Sequence, residues 1–171
     1  MTNIIGISGW SGSGKTQLII NLIRFFKDNY NLKVCALKHA HHSFKLDQKG
    51  KDSYRFFEEG ANKVIIASSK QWAIVNRIEK EEPSLEELLE YSNDNIDIVL
   101  VEGWKFSKIK KIEVYRDILK KKLLSSHDEN FIAIATDSKK LKIKTKIPIL
   151  NINDTKEIGK FILKNLNFDN V

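Results

Sequence analysis

Ile4-Ile5-Gly6-Ile7-Ser8-Gly9-Trp10-Ser11-Gly12-Ser13-Gly14-Lys15-Thr16-Gln17 passes from an apolar run through a glycine loop into an amphipathic run that ends at Phe26. Strand, loop and helix follow one another, and residues 9–16 have the spacing G-x-x-x-x-G-K-T of a phosphate-binding loop. The residue types suit that chemistry. Glycines let the backbone curl until successive N–H groups point inward at phosphate oxygens. A helix N-terminus adds partial positive charge on the same side. Lys15 reaches the terminal phosphates and the Thr16 hydroxyl ligates Mg²⁺. A plain glycine-serine turn between a strand and a helix is the alternative, but all the motif positions and both flanks fit the phosphate loop.

The chain has 171 residues, enough for one domain over 1–171 with a substantial core. No stretch has the length of a membrane span, and no secretory signal pattern is present. Cys35 is the only cysteine, so no internal disulfide can form; a reducing cytoplasm fits, with Cys35 as a small buried apolar residue. The net charge of +7 invites a nucleic-acid reading. Its lysines are scattered, however, and only Arg24, Arg55, Arg77 and Arg116 supply guanidinium groups. The dense segment Lys105 to Lys111 suits an anionic ligand or an acidic partner.

Outward from the loop, Leu18, Ile19, Leu22, Ile23 and Phe26 share one helical face. Lys33 to Lys38 reads as a buried strand parallel to the first, completing a βαβ unit. His39 to Asp52 is a long polar loop on the ligand edge. A short helix from Ser53 to Gly60 follows, with Tyr54, Phe57 and Phe56 as its inward candidates. Val64–Ala67 and Trp72–Val75 read as a hairpin-like pair, and Ser84 with Glu87 as a capping box before Leu85, Leu88 and Leu89. Ile96–Val101 is a strand ending in Glu102. Ile112–Tyr115 alternates as a half-exposed or edge strand would. Phe131–Ala135 is a continuous apolar strand, Ile147–Leu150 an edge strand with a proline, and a helix opens at Asp154. The pattern predicts an α/β, three-layer P-loop NTPase fold: a mostly parallel central sheet with an antiparallel hairpin-like extension.

Four apolar residues followed by Glu102 describe a buried strand delivering a carboxylate to the ligand edge, where it holds Mg²⁺ or orients water; the alternative is a simple strand cap beside the basic segment. His39, His41 and His42 suggest a metal cluster at first sight, but a structural zinc site would want four close ligands, usually with cysteines. They line the phosphate or partner surface, or are ordinary loop residues. Asp47 and Asp52 are candidate Mg²⁺ ligands or helix caps. Thr136-Asp137 ends a buried strand, where the carboxylate would meet guanine N1–H and N2–H₂ or simply form a turn. Trp10 and Trp104 each sit beside a ligand element, as core or as partner anchors.

Taken together, the motifs resemble the MobB-type molybdopterin-guanine dinucleotide biosynthesis adaptor proteins. The matching segments are Gly-Trp-Ser-Gly-Ser-Gly-Lys-Thr (9–16), Lys-His-Ala-His-His-Ser-Phe (38–44), Asp47, Gly-Lys-Asp-Ser-Tyr-Arg (50–55), Gly-Ala (60–61), Val-Glu-Gly-Trp-Lys (101–105) and Lys-Ile-Glu-Val-Tyr-Arg (111–116). The resemblance implies a cytoplasmic, homodimeric GTP-binding protein, at most a weak Mg²⁺-dependent GTPase. It would work beside the MobA-type guanylyltransferase that couples GMP to molybdopterin, with molybdoenzyme-maturation factors as further partners and neither nucleic acid nor membrane. By the same resemblance Gly12, Gly14, Lys15 and Thr16 hold the phosphates and Mg²⁺; the residue reading adds Gly9, Trp10, Ser11, Ser13, Gln17 and Asp137 to the nucleotide-binding candidates. Lys15 and Glu102 act on the reacting phosphate, and Thr16, Asp47 and Glu102 form the metal side. Three positions depart from the family pattern: Gln17 for a frequent threonine, Lys49 for a usual proline and Trp104 for a usual phenylalanine. A small-molecule kinase or ATP-dependent ligase on the same fold is the rival reading, with Asp47 or Asp52 as its base.

Overall fold

The computed structural model describes residues 3–40, 48–79, 81–92, 95–138 and 146–168. Two compact units emerge, one built from the chain before Ala40 and after Ser84, the other from Ala40–Ser84.

The larger unit is a six-stranded sheet in the order β2-β5-β1-β6-β7-β8, with every neighbouring pair parallel. Its strands are β1 (Asn3–Ser8), β2 (Val34–Lys38), β5 (Ile98–Glu102), β6 (Lys111–Tyr115), β7 (Phe131–Thr136) and β8 (Ile149–Asn151). Helices α1 (Lys15–Tyr30) and α4 (Thr155–Asn165) cover one face. Leu18, Ile19, Leu22 and Phe26 of α1 and Ile158, Ile162 and Leu163 of α4 are buried there against Ile5, Ile7, Ile98, Leu100, Ile112 and Val114. On the other face Leu85 and Leu89, from α3 (Leu85–Glu90), pack with Val99, Val101, Trp104 and Ile109. Further along that face, Tyr115, Leu123 and Ile134 form a smaller cluster. The smaller unit holds α2 (Asp52–Glu58) and an antiparallel pair, β3 (Lys63–Ala67) and β4 (Trp72–Asn76). The mostly parallel sheet and the antiparallel pair are both present. The pair stands as a sheet of its own rather than as an edge of the central one.

Three expectations change. Ile112–Tyr115 is not an edge strand: β6 lies between β1 and β7, and all its residues are buried. The polar positions that suggested exposure, Lys111 and Glu113, are covered by loops that supply their partners. β2 is not fully buried, because β5 separates it from β1 and leaves it at the sheet edge with Cys35 half-buried. In α2, Tyr54 and Phe57 are half-buried, whereas Phe56 is exposed.

Candidate functional site

A parallel sheet sends all its strand C-termini to one edge, and the neighbouring strands β1 and β5 carry the loops that matter most. After Ser8 the chain turns at Gly9, where backbone crowding dictates the residue: a Cβ there would stand 2.4 Å from the Val114 carbonyl oxygen and 2.8 Å from Ser13 Oγ. Gly14 then caps α1 with φ 99°, a left-handed conformation that glycine adopts without strain. The first turn of α1 contains no acidic residue of its own, and no side chain caps its N-terminus.

Lys15 and Thr16 sit in that turn. Lys15 Nζ donates to the Trp10 carbonyl at 3.0 Å. Burial depresses its pKa, opposed by the Glu102 charge and reinforced by Lys105 and Lys38. The Thr16 hydroxyl donates to both Glu102 oxygens, at 3.0 and 3.2 Å. Lys38 Nζ lies 3.7 Å from Glu102 Oε1. The two loops are also tied to each other, since Ser8 Oγ donates to the Gly103 carbonyl at 2.9 Å. Trp104 follows with φ 40°, rare for a bulky residue, and its ring meets that of His39 at 4.7 Å between centroids.

This arrangement fits a nucleoside triphosphate with Mg²⁺. Thr16 Oγ1 and the Glu102 carboxylate are hard oxygen donors of the kind Mg²⁺ takes from protein while keeping waters and phosphate oxygens. Among the described residues, Ser13 Oγ is buried without a hydrogen-bond partner, beside the loop amides. Gly9, Trp10, Ser11, Gly12, Ser13 and Gly14 form the loop, Lys15, Thr16 and Gln17 open the helix, and Glu102 meets Thr16. Gln17 turns along the helix, donating to Asn21 Oδ1 at 3.0 Å. Asp137 follows β7 and lines a cleft of about 320 Å³ at the ends of β7 and β8. Asp47, His41 and His42 lie outside the described residues, and Asp52 opens α2 in the smaller unit.

Several residues that lie in the quoted motifs brace the site in ways their spacing did not indicate. The Trp10 ring has Lys105 Nζ at 4.8 Å and Lys121 Nζ at 5.6 Å from its centroid, and its Nε1 donates to the Lys122 carbonyl at 2.8 Å. Both Glu113 oxygens accept backbone N–H groups, of Leu124 and Ser125, each at 2.8 Å. The fully buried Lys111 Nζ donates to the carbonyls of Lys105 (2.8 Å) and Ser107 (2.7 Å) and to Asp128 Oδ2 (2.5 Å). Strand β6 thus fastens the loop after Glu102 with Lys111 and the loop under Trp10 with Glu113. A charged pair alternating with Ile112 and Val114 was the available signal, and it reads equally as a solvated edge.

A family model described as MobB, molybdopterin guanine dinucleotide synthesis protein B, matches residues 4–137. The molybdopterin-guanine dinucleotide biosynthesis adapter protein of Haemophilus influenzae is 37% identical over 160 residues, covering 93% of this chain and 86% of that protein. Its Escherichia coli counterpart is 31% identical over 173 residues, covering 96% and 93%. A crystal structure of molybdopterin-guanine biosynthesis protein B superposes with a TM-score of 0.74 at 26% identity, covering 95% of this chain and 98% of that one.

Proposed function

The chain belongs to the MobB family of molybdopterin guanine dinucleotide synthesis proteins, and on that premise we propose that it is a GTP-binding adaptor in the synthesis of that dinucleotide. It would act in the cytoplasm beside a MobA-type guanylyltransferase, and molybdoenzyme-maturation factors are the natural recipients downstream. The observation that carries the nucleotide reading is the Thr16 hydroxyl held against Glu102 at the head of α1, with Lys15 one residue away. All of these groups lie in the larger unit, which we take as the nucleotide-binding part of the protein.

In this reading the amides of Gly12 to Thr16 receive the phosphate oxygens, and Lys15 exchanges the Trp10 carbonyl for the terminal phosphates. Thr16 and Glu102 would hold Mg²⁺, which when bound offsets phosphate charge. Hydrolysis would be water attack at the γ-phosphorus with loss of the bridging oxygen to GDP, helped by the charge that Lys15 and the loop amides present. A slow rate suits an adaptor. A homodimer is part of the same proposal, supported by the outward face of the antiparallel pair, where Ile65 and Trp72 are 63% and 68% exposed.

Titration calorimetry with GTP and Mg²⁺ tests the reading. Wild type binds, and Lys15→Ala, which removes a charge-assisted contact of about 1.5–3 kcal/mol, weakens binding roughly 10- to 100-fold. No binding by wild type at millimolar GTP would defeat the proposal. Retention of molybdopterin-loaded guanylyltransferase on immobilised protein, increased by GTP and not increased for Lys15→Ala, tests the adaptor role.

A further inference from the structure

Arg116 follows β6 and reaches in two directions. Its Nε donates to the Ser13 carbonyl at 3.2 Å, inside the turn whose amides would receive the phosphates. Its Nη1 donates to, and ion-pairs with, Asp137 Oδ2. Its Nη2 lies 3.5 Å from where a Cβ on Gly14 would stand, so the guanidinium plane rests against the head of α1.

That cleft offers Asp137 beside Asn151 and Asn153. Local hydrogen bonds fix the turns on which they sit: the Ser138 N–H donates to Thr136 Oγ1 at 3.1 Å, and the Asn153 N–H to Asn151 Oδ1 at 3.0 Å. A carboxylate has about four lone-pair sites, and Arg116 uses only part of that capacity. The remainder can accept two donors from the edge of a purine carrying an N–H beside an NH₂. The edge of adenine presents one amino donor beside a ring-nitrogen lone pair, which a carboxylate repels.

We propose that Arg116 is a positioning residue that couples base recognition to the phosphate loop. It holds the Asp137 carboxylate oriented toward a 6-oxo-2-aminopurine, and at its other end it holds the Ser13 carbonyl and so the curl of the loop. The proposal rests on the nucleotide reading above, and it adds a prediction that reading does not make. A substitution at the base end must alter affinity for a ligand that has no base.

The test measures binding of GTP, ATP and inorganic tripolyphosphate, each with Mg²⁺, to wild type, Arg116→Gln and Asp137→Asn. Both variants lower the GTP-to-ATP affinity ratio, by about tenfold or more for loss of a charge-assisted pair. Both also weaken tripolyphosphate binding by about fivefold or more, within the usual range of coupling between sites. The double variant loses no more of the ratio than the worse single variant, because the two residues act through one contact. Thermal melts identify any variant that has failed to fold, and either single variant tests the link by itself. Unchanged tripolyphosphate affinity in Asp137→Asn overturns the coupling. An unchanged GTP-to-ATP ratio in both single variants overturns the assignment of Arg116 and Asp137 to base recognition while leaving the phosphate loop standing. Failure of wild type to bind any of the three ligands removes the nucleotide reading itself.

Discussion

Glu113 is fully buried, and both its oxygens accept backbone N–H groups of the 124–125 turn. Removing the carboxylate leaves two half-buried donors unpaired, each worth about 1–3 kcal/mol. Glu113→Ala should therefore lose about 3 kcal/mol or more in urea unfolding; a loss within about 0.5 kcal/mol, the range of an ordinary surface change, would show that water replaces the carboxylate there. Asp128 gives a pH prediction. Burial alone would raise its pKa, but hydrogen bonds from Lys111 and Asn130 and the Lys111 charge hold it below the usual carboxylate value. A depressed carboxylate stabilises the fold above its unfolded pKa of about 3.9 and loses that contribution as pH falls through the folded value. Wild type should thus lose stability below about pH 4. Asp128→Asn should flatten that limb and be less stable near neutrality, with Lys111 left as a buried cation without its counter-charge. Parallel stability curves for the two proteins would contradict this.

At the scale of elements, α1 and α4 approach closely because α4 carries Gly159. A Cβ there would fall 2.2 Å from Phe25 Cε1, and Phe25 is wedged edge-on against Phe26 and Tyr30. Two effects oppose each other in Gly159→Ala. Helix propensity favours alanine by about 1 kcal/mol, while overpacking costs about 1–3 kcal/mol. The clash should win, lowering the melting temperature; in a Phe25→Ala background the same change should raise it. A rise in both backgrounds would mean that the ring moves aside freely. Strand β6 shows why the period of a sequence misleads about exposure. Alternation of charged and apolar residues assigns one face to solvent only if no loop folds over it, and the 105–107 and 122–125 loops do fold over it. Their partners are four to seventeen residues away along irregular chain, where no periodicity survives to announce them.

For the whole molecule, the isolated antiparallel pair makes the self-association prediction. Ile65 lies opposite Ile74 and Ala67 opposite Trp72, so these apolar side chains share one face. Two-stranded sheets are marginally stable alone, and exposed apolar patches mark interaction surfaces. Trp72→Glu should shift the sedimentation-velocity distribution from dimer toward monomer at micromolar protein while GTP binding by the larger unit persists; a dimer unaffected by the charge would place the interface elsewhere. The strand, glycine turn and helix start over residues 3–16 were legible in the sequence because their chemistry is local. Glycines, lysine and threonine at fixed spacing between an apolar run and an amphipathic one dictate backbone and donors without help from distant residues. Glu102 was legible for the same reason, as the carboxylate that ends an apolar run. Tertiary structure alone decided that β5 lies between β1 and β2, which sets Glu102 against Thr16 and leaves β2 at the edge. It also decided that Lys111, Glu113 and Arg116 are internal braces, since a charge belongs inside only when partners from remote loops arrive to satisfy it, and strand order determines which loops arrive.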